Sequence, residues 1–164
     1  MPRIDVPDGK ADPEVRVWAL RPEMGMAAGA LSHAIYDQSI VPVRERELAR
    51  VRIAQINGCA ICLTWRKTAG AGDVMTEADY AHVAEWAKHP DYSERERLAI
   101  EYAEKFALAP DRLDDDFYTR LRAAYSDPEV LDLTVCIGGW LALGRTLHVL
   151  GIDDTCRIPE HIAR

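Results

Sequence analysis

The sequence predicts an all-α domain. Apolar residues recur at three- and four-residue spacing through most of the chain, and helix start and stop residues punctuate them. No segment sustains the period-two alternation of a strand, and no βαβ rhythm is present. At 164 residues the chain suits one domain with a hydrophobic core of its own. The boundaries fall at 1–20 for an N-terminal arm, 21–152 for the helical domain and 153–164 for a polar C-terminal tail. About seven helices fit the pattern.

The first dozen residues are polar and proline-bearing, which reads as extended chain. "PEMGMAAGALSHAIYDQ" (22–38) starts on Pro22 and repeats apolar residues at helical spacing. In "VPVRERELARVRIAQING", Pro42 sits in the first turn, Leu48, Val51, Ile53 and Ile56 alternate with charges, and Asn57-Gly58 is a C-terminal stop. "CAICLTWRKTAGAG" begins the next helix, ending at the Gly70/Gly72 cluster. In "MTEADYAHVAEWAKH", Thr76 is the N-cap candidate, with Glu77 and Asp79 in the first turn. "SERERLAIEYAEKFALAP" carries a capping-box pair, Ser93 and Glu96, and stops at Pro110. A short helix, "DDDFYTRLRAAYS", comes next. "DPEVLDLTVCIGGWLALGRTLHVLGI" is long, apolar and rich in small residues, as a central buried helix would be.

Charge narrows the partners. With 20 Lys and Arg against 27 Asp and Glu, the chain carries −7. That argues against nucleic acid and against an anionic membrane surface, both of which need a basic face. No uninterrupted apolar run reaches the roughly 20 residues of a membrane span. The N-terminus has no secretory h-region, so the cytoplasm is the expected compartment. There the four cysteines, Cys59, Cys62, Cys136 and Cys156, are expected mostly as thiols.

Cys59 and Cys62 form a CxxC. Gly58 places Cys59 near a helix N-terminus, where unpaired N–H groups favour thiolate, and Cys62 follows one turn later on the same face. The pair fits a reversible dithiol, half of a zinc site that His82 or His89 would complete, or two buried core residues. Glu47 lies twelve residues before Cys59, about 15 Å down the preceding helix at about 1.5 Å per residue. Arg66, four residues after Cys62, lies about 10 Å down the next helix by the same rise, within reach of Glu47 and of the Cys62 sulfur. The "RERE" run around Glu47 and the similar run at 94–97 read as solvated faces or subunit contacts.

These runs, "LRPEM", "VRERELARVRIAQINGCAIC", "AGAGDVMTEADYAHVAEW", "SERERLAIEYAEKF" and "LDLTVCIGGWLALGRTLHVLGI", resemble the carboxymuconolactone decarboxylase family over roughly residues 20–152. The resemblance is closest to its alkylhydroperoxidase D-like (AhpD-like) branch. It implies an AhpD-like helical bundle whose subunits associate as trimers or hexamers. It also implies an antioxidant, peroxiredoxin-type activity: Cys62 attacks a hydroperoxide, Cys59 resolves it to a redox-active disulfide, and Glu47 helps to move the proton. A dithiol or protein reductant would then restore the thiols, with no cofactor and no metal. Arg66 stands where the family carries a histidine, and Ile61 where the best-known members carry another. An arginine cannot shuttle a proton. It would instead pair with Glu47 and lower the Cys62 pKa below the free value of about 8.5.

Two rival functions stand beside the peroxidase: a non-enzymatic redox-sensing or stress-response module, and a decarboxylase-like enzyme acting on a small lactone acid. His148 is the candidate replacement for the missing histidine, and His33 and Tyr36 are candidates to close the substrate cavity. Trp65 reads as packing and Cys136 as a buried small hydrophobe. The small-residue run 138–144 permits close helix approach.

Overall fold

A computed structural model describes residues 2–66 and 70–152. The polar tail 153–164, with Cys156, lies outside the described residues. In chain order the α-helices are α1 (Pro13–Arg16), α2 (Pro22–Asp37), α3 (Val43–Asn57), α4 (Ala60–Thr64), α5 (Ala71–Val74), α6 (Glu77–Ala81), α7 (Glu94–Leu108), α8 (Asp115–Ala124) and α9 (Asp127–Val149). Single 3₁₀ turns cover Val17–Leu20, Val83–Glu85 and Pro110–Arg112. Among the described residues there is no strand, so the molecule is all-α, with the AhpD-like bundle taken up below.

Local signals set most helix ends. Ser93 and Glu96 form a reciprocal capping box at α7, as do Thr76 and Asp79 at α6. Such a cap contributes about 1 kcal/mol. Asp114 caps α8 through the Phe117 N–H at 2.9 Å. Gly58, at φ 65°, closes α3 in the left-handed region that glycine adopts without a Cβ clash.

The helix after the CxxC departs from the sequence reading. It ends at Thr64 rather than running on to Gly70, and Trp65 is extended. The Thr64 hydroxyl donates back to the Ala60 and Ile61 carbonyls at 3.3 and 3.1 Å, a bond that competes with helix continuation.

The centre of the bundle is α3, which packs against α7 on one side and α9 on the other. This corrects two expectations. The "RERE" run is not a solvated face: Glu45, Arg46, Glu47 and Arg50 are all buried, and so is Glu96 of the second charged run. Burying ions costs several kcal/mol each unless partners offset it. Here Arg95 bridges Glu45 at 2.9 Å and Glu129 at 3.0 Å, while Arg44 holds Asp79 at 2.7 Å and also Glu96. Meanwhile α9, expected at the centre, buries one face (Leu133, Cys136, Ile137, Trp140) and exposes Leu131, Val135 and Val149 on another. By length and composition alone this 23-residue helix could cross a bilayer, as buried helices of globular proteins often can.

The main core joins Ile35 of α2 and Ile53 of α3 to Leu98 and Tyr102 of α7, Phe117 and Leu121 of α8, and Ile137 of α9. Gly139 lets α2 and α9 meet closely: a Cβ there would lie 2.8 Å from Ile35 Cδ1. A second cluster, including Leu48, Tyr80, Val83 and Ile100, supports the other side of α3. Both position the end of α3, where the cysteine pair begins.

Candidate redox site

The turn at Gly58 delivers Cys59 as the N-cap of α4, and the Cys62 N–H donates to Cys59 Sγ at 3.2 Å. The two cysteines are disulfide-bonded with Cα atoms 5.3 Å apart. They are not equivalent. Cys59 is 0% exposed, whereas Cys62 is only partly buried and lines a cavity. Any molecule in that cavity meets Cys62 and not Cys59.

Glu47 of α3 is fully buried. Arg50 binds it with both prongs, Nε to Oε1 at 2.8 Å and Nη2 to Oε2 at 2.9 Å. Arg50 also donates to the backbone of the redox segment, to the Cys62 carbonyl at 2.6 Å and the Trp65 carbonyl at 3.1 Å. The Tyr80 hydroxyl donates to Glu47 Oε2 at 3.2 Å. Burial first, and then the nearby Glu47 charge, push the Tyr80 phenol up to about 12. It therefore stays a hydrogen-bond donor at neutral pH.

The expected Glu47–Arg66 pair is replaced by two others: Glu47 with Arg50, and Arg66 with Glu77 at 2.9 and 3.1 Å. The physical reason is the early end of α4. The extended Trp65 carries Arg66 off the helix face that would have aimed it at the sulfur. Its guanidinium stacks 3.8 Å over the Tyr80 ring instead. Arg66 thus holds Tyr80, which in turn bonds Glu47.

The cavity encloses about 300 Å³ between α2, α3, α4 and α9. Of the proposed pocket residues, Tyr36 lines it, and burial raises its pKa. The other two stand elsewhere among the described residues. His33 is exposed on α2 and bonded to Asp37 at 2.8 Å. His148 is exposed near the end of α9, its Cε1 3.5 Å from where a Cβ on Gly58 would sit. Trp65 borders the cavity rather than only packing. Trp18, from the expected N-terminal arm, lines it as well.

Sequence reasoning missed Arg50, Tyr80, Trp18 and the Asn57–Gly144 contact. Asn57 donates to the Trp140 and Leu141 carbonyls and accepts from Arg145 at 3.1 Å. Gly144 lets α9 come this close: a Cβ there would lie 2.9 Å from Asn57 Nδ2 and 3.6 Å from Cys62 Sγ. Only Arg50 left a local signal, three residues after Glu47 and so on its helical face. Cys136 is buried, and burial pushes its thiol up to about 12, which fits the inert core reading. His82 and His89 stack on each other at 4.3 Å, and the described residues hold no cluster suited to a metal ion.

A helical bundle with a CxxC at the mouth of a cavity invites comparison with known proteins. The carboxymuconolactone decarboxylase family matches residues 22–105. The uncharacterized protein YnjA of Escherichia coli K12 is 34% identical over 117 residues, 70% of this chain and 64% of YnjA. The uncharacterized protein YdfG of Bacillus subtilis 168 is 32% identical over 101 residues, 61% of this chain and 69% of YdfG. A protein of unknown function from Agrobacterium tumefaciens, suggested to be the antioxidant defence protein AhpD, has 26% identity and a TM-score of 0.72, over 87% of this chain and 96% of its own. A peroxidase-related protein from Ralstonia eutropha, described as an alkylhydroperoxidase AhpD core, shares the fold at 20% identity, with a TM-score of 0.68 over 89% of this chain and 76% of its own.

The chain belongs to the carboxymuconolactone decarboxylase family, and its fold is AhpD-like. It spans a little under two thirds, 64%, of the E. coli relative.

Proposed function

We propose that the chain is a thiol-dependent peroxidase and disulfide oxidoreductase of the cytoplasm, with Cys62 attacking and Cys59 resolving. The observation that carries this reading is the asymmetry of the pair: Cys62 alone lines the cavity, and the buried Cys59 sulfur is already bonded to it. The Cys62 thiolate attacks the terminal oxygen of a hydroperoxide. The O–O bond breaks, Cys62 becomes a sulfenic acid, and the alkoxide leaves with a proton from water. The Cys59 thiol then attacks the Cys62 sulfur, forming the disulfide and releasing water. A dithiol or a protein thiol reduces the disulfide and is itself oxidised. Glu47 and Arg50 hold the segment in place, with Arg66 acting through Tyr80. By analogy with the branch, the working unit is a trimer or hexamer.

The test is steady-state turnover of an organic hydroperoxide with a dithiol, comparing wild type with Cys62→Ser. Turnover that depends on Cys62 supports the reading, and a wild type with none overturns it. A redox sensor is the second reading. It draws support from Glu47, whose two oxygens are both held by Arg50, a poor arrangement for a mobile base. Disulfide formation by peroxide without multiple turnover would favour it. Lactone decarboxylation would leave the cysteine pair without a role.

A further inference from the structure

Breaking the O–O bond of a hydroperoxide leaves an alkoxide, a strong base that departs faster when a proton meets it. Arg66 cannot supply that proton. Among the described residues that line the cavity, Tyr36 is the one group besides Cys62 acidic enough to do so. Ser32 and the indoles on the wall are far weaker acids than a phenol. Arg50 keeps its charge and is committed to Glu47 and to two backbone carbonyls.

The Tyr36 ring is fixed on the wall, its centroid 6.1 Å from that of Trp65 and 6.3 Å from that of Trp140. Trp65 follows Cys62 by three residues, and Arg50 holds the carbonyls of both. The phenol oxygen makes no hydrogen bond among the described residues, yet it is not sealed off as the Trp140 indole nitrogen is. It therefore keeps accessible surface, and burial, by raising its pKa, keeps it protonated at neutral pH. About 300 Å³ is at the small end of ligand pockets, so a molecule that touches Cys62 also reaches Tyr36.

A second unexplained group lies behind it. Of the four arginines of α3, three hold a carboxylate: Arg44 that of Asp79, Arg50 that of Glu47 and Arg52 that of Glu104. Arg46 is 4% exposed, and its guanidinium has no ion pair or hydrogen bond among the described residues. It cannot lose its charge, and a buried charge left uncompensated is costly. That charge acts on Tyr36 and on Cys136, and of these only Tyr36 lines the cavity. A fixed cation without a carboxylate suits an anion that forms only during a reaction.

We propose that Tyr36 is the general acid of hydroperoxide cleavage, and that Arg46, with Arg50, stabilises the phenolate it becomes. The proposal rests on the peroxidase reading. As the Cys62 thiolate bonds to the terminal oxygen, the O–O electron pair moves to the departing oxygen. The Tyr36 proton goes to that oxygen and completes the alcohol. Water then returns to Tyr36 the proton that the Cys62 thiol released on ionising, so the proton comes from water by way of the phenol. Arg46 does not touch the peroxide and acts through Tyr36.

The test is single-turnover oxidation of the reduced protein by two oxidants, followed by stopped-flow tryptophan fluorescence. tert-Butyl hydroperoxide expels an alkoxide, which needs the proton. Peracetic acid expels acetate, a far weaker base, which does not. Tyr36→Phe should slow the reaction with tert-butyl hydroperoxide about 100-fold, the low end for general acid catalysis, and that with peracetic acid less than about threefold. Arg46→Met should show the same contrast with a smaller factor. Its urea midpoint should not fall, because no carboxylate loses a partner. Equal slowing with both oxidants, or none in Tyr36→Phe, would overturn the inference and leave the peroxidase reading standing. Arg46→Met reacting as fast as wild type, or unfolding as readily as Arg50→Met, would overturn the part given to Arg46. A wild type inert to both oxidants would overturn the peroxidase reading and this inference with it.

Discussion

Arg50 grips both carboxylate oxygens of Glu47, at 2.8 and 2.9 Å, with the two side chains 1% and 0% exposed. The same guanidinium holds the Cys62 and Trp65 carbonyls. The short redox helix is thereby tied to a buried ion pair rather than to solvent. Removing one partner takes from the other its bidentate counter-charge in the protein interior, which costs about 3–5 kcal/mol. Arg50→Met should therefore lower unfolding stability by about that much in urea denaturation. The double variant Arg50→Met/Glu47→Leu should lose clearly less than the sum of the two singles.

Arg66 makes the opposite prediction. It is 30% exposed and its partner Glu77 is 76% exposed, so solvent screens the pair. With the stack on Tyr80 included, Arg66→Ala should cost about 1 kcal/mol of stability, several-fold less than Arg50→Met. Thermal unfolding of the two variants side by side compares them. Equal losses would mean that Arg66 carries more of the site than its contacts indicate.

Gly144 is where α9 makes room for Asn57 and Cys62. The added methyl of Gly144→Ala would meet Asn57 Nδ2 at 2.9 Å, and two backbone carbonyls hold that nitrogen in place. The expected cost is about 1–3 kcal/mol by overpacking. Gly29, where an added Cβ meets nothing within 4 Å, is the control and should tolerate alanine. Urea midpoints of the two variants test the contrast.

Acid should find Asp79. The Arg44 guanidinium, helped by the Thr76 cap, holds its carboxyl down at about 2 against an ordinary 3.8. A carboxyl depressed by folding adds stability that is present in full above the unfolded value and is lost as pH falls through the folded one. Its contribution should thus fade between about pH 4 and pH 2. Unfolding free energies measured across that window should fall less steeply in Asp79→Asn than in wild type.

Local features of the fold were legible in the sequence. Ser93 with Glu96, Thr76 with Asp79, and Gly58 each act within a few residues, and each ends its helix as its chemistry requires. The CxxC was legible as a pair able to form a disulfide because its spacing suffices to join the sulfurs. Partners were not. Arg95 meets Glu45 across fifty positions, and Arg44 meets Glu96 across fifty-two, so a run that looks solvated is an internal ion-pair layer. The choice between Arg50 and Arg66 for Glu47 turned on where α4 stops, and Thr64 and Trp65 announce that stop only weakly. Trp18 reaches the cavity through tertiary packing, which no local pattern signals.

The central claim is that Cys62 reacts first and Cys59 resolves. Mass spectrometry of a sulfenic-acid trap, after one equivalent of organic hydroperoxide is added to the reduced protein, tests it most directly. In Cys59→Ser the trap should label Cys62, because the resolving thiol is gone. In Cys62→Ser, Cys59 should stay unlabelled behind the buried wall. Labelling at Cys59 in Cys62→Ser, with none at Cys62 in Cys59→Ser, would contradict the assignment.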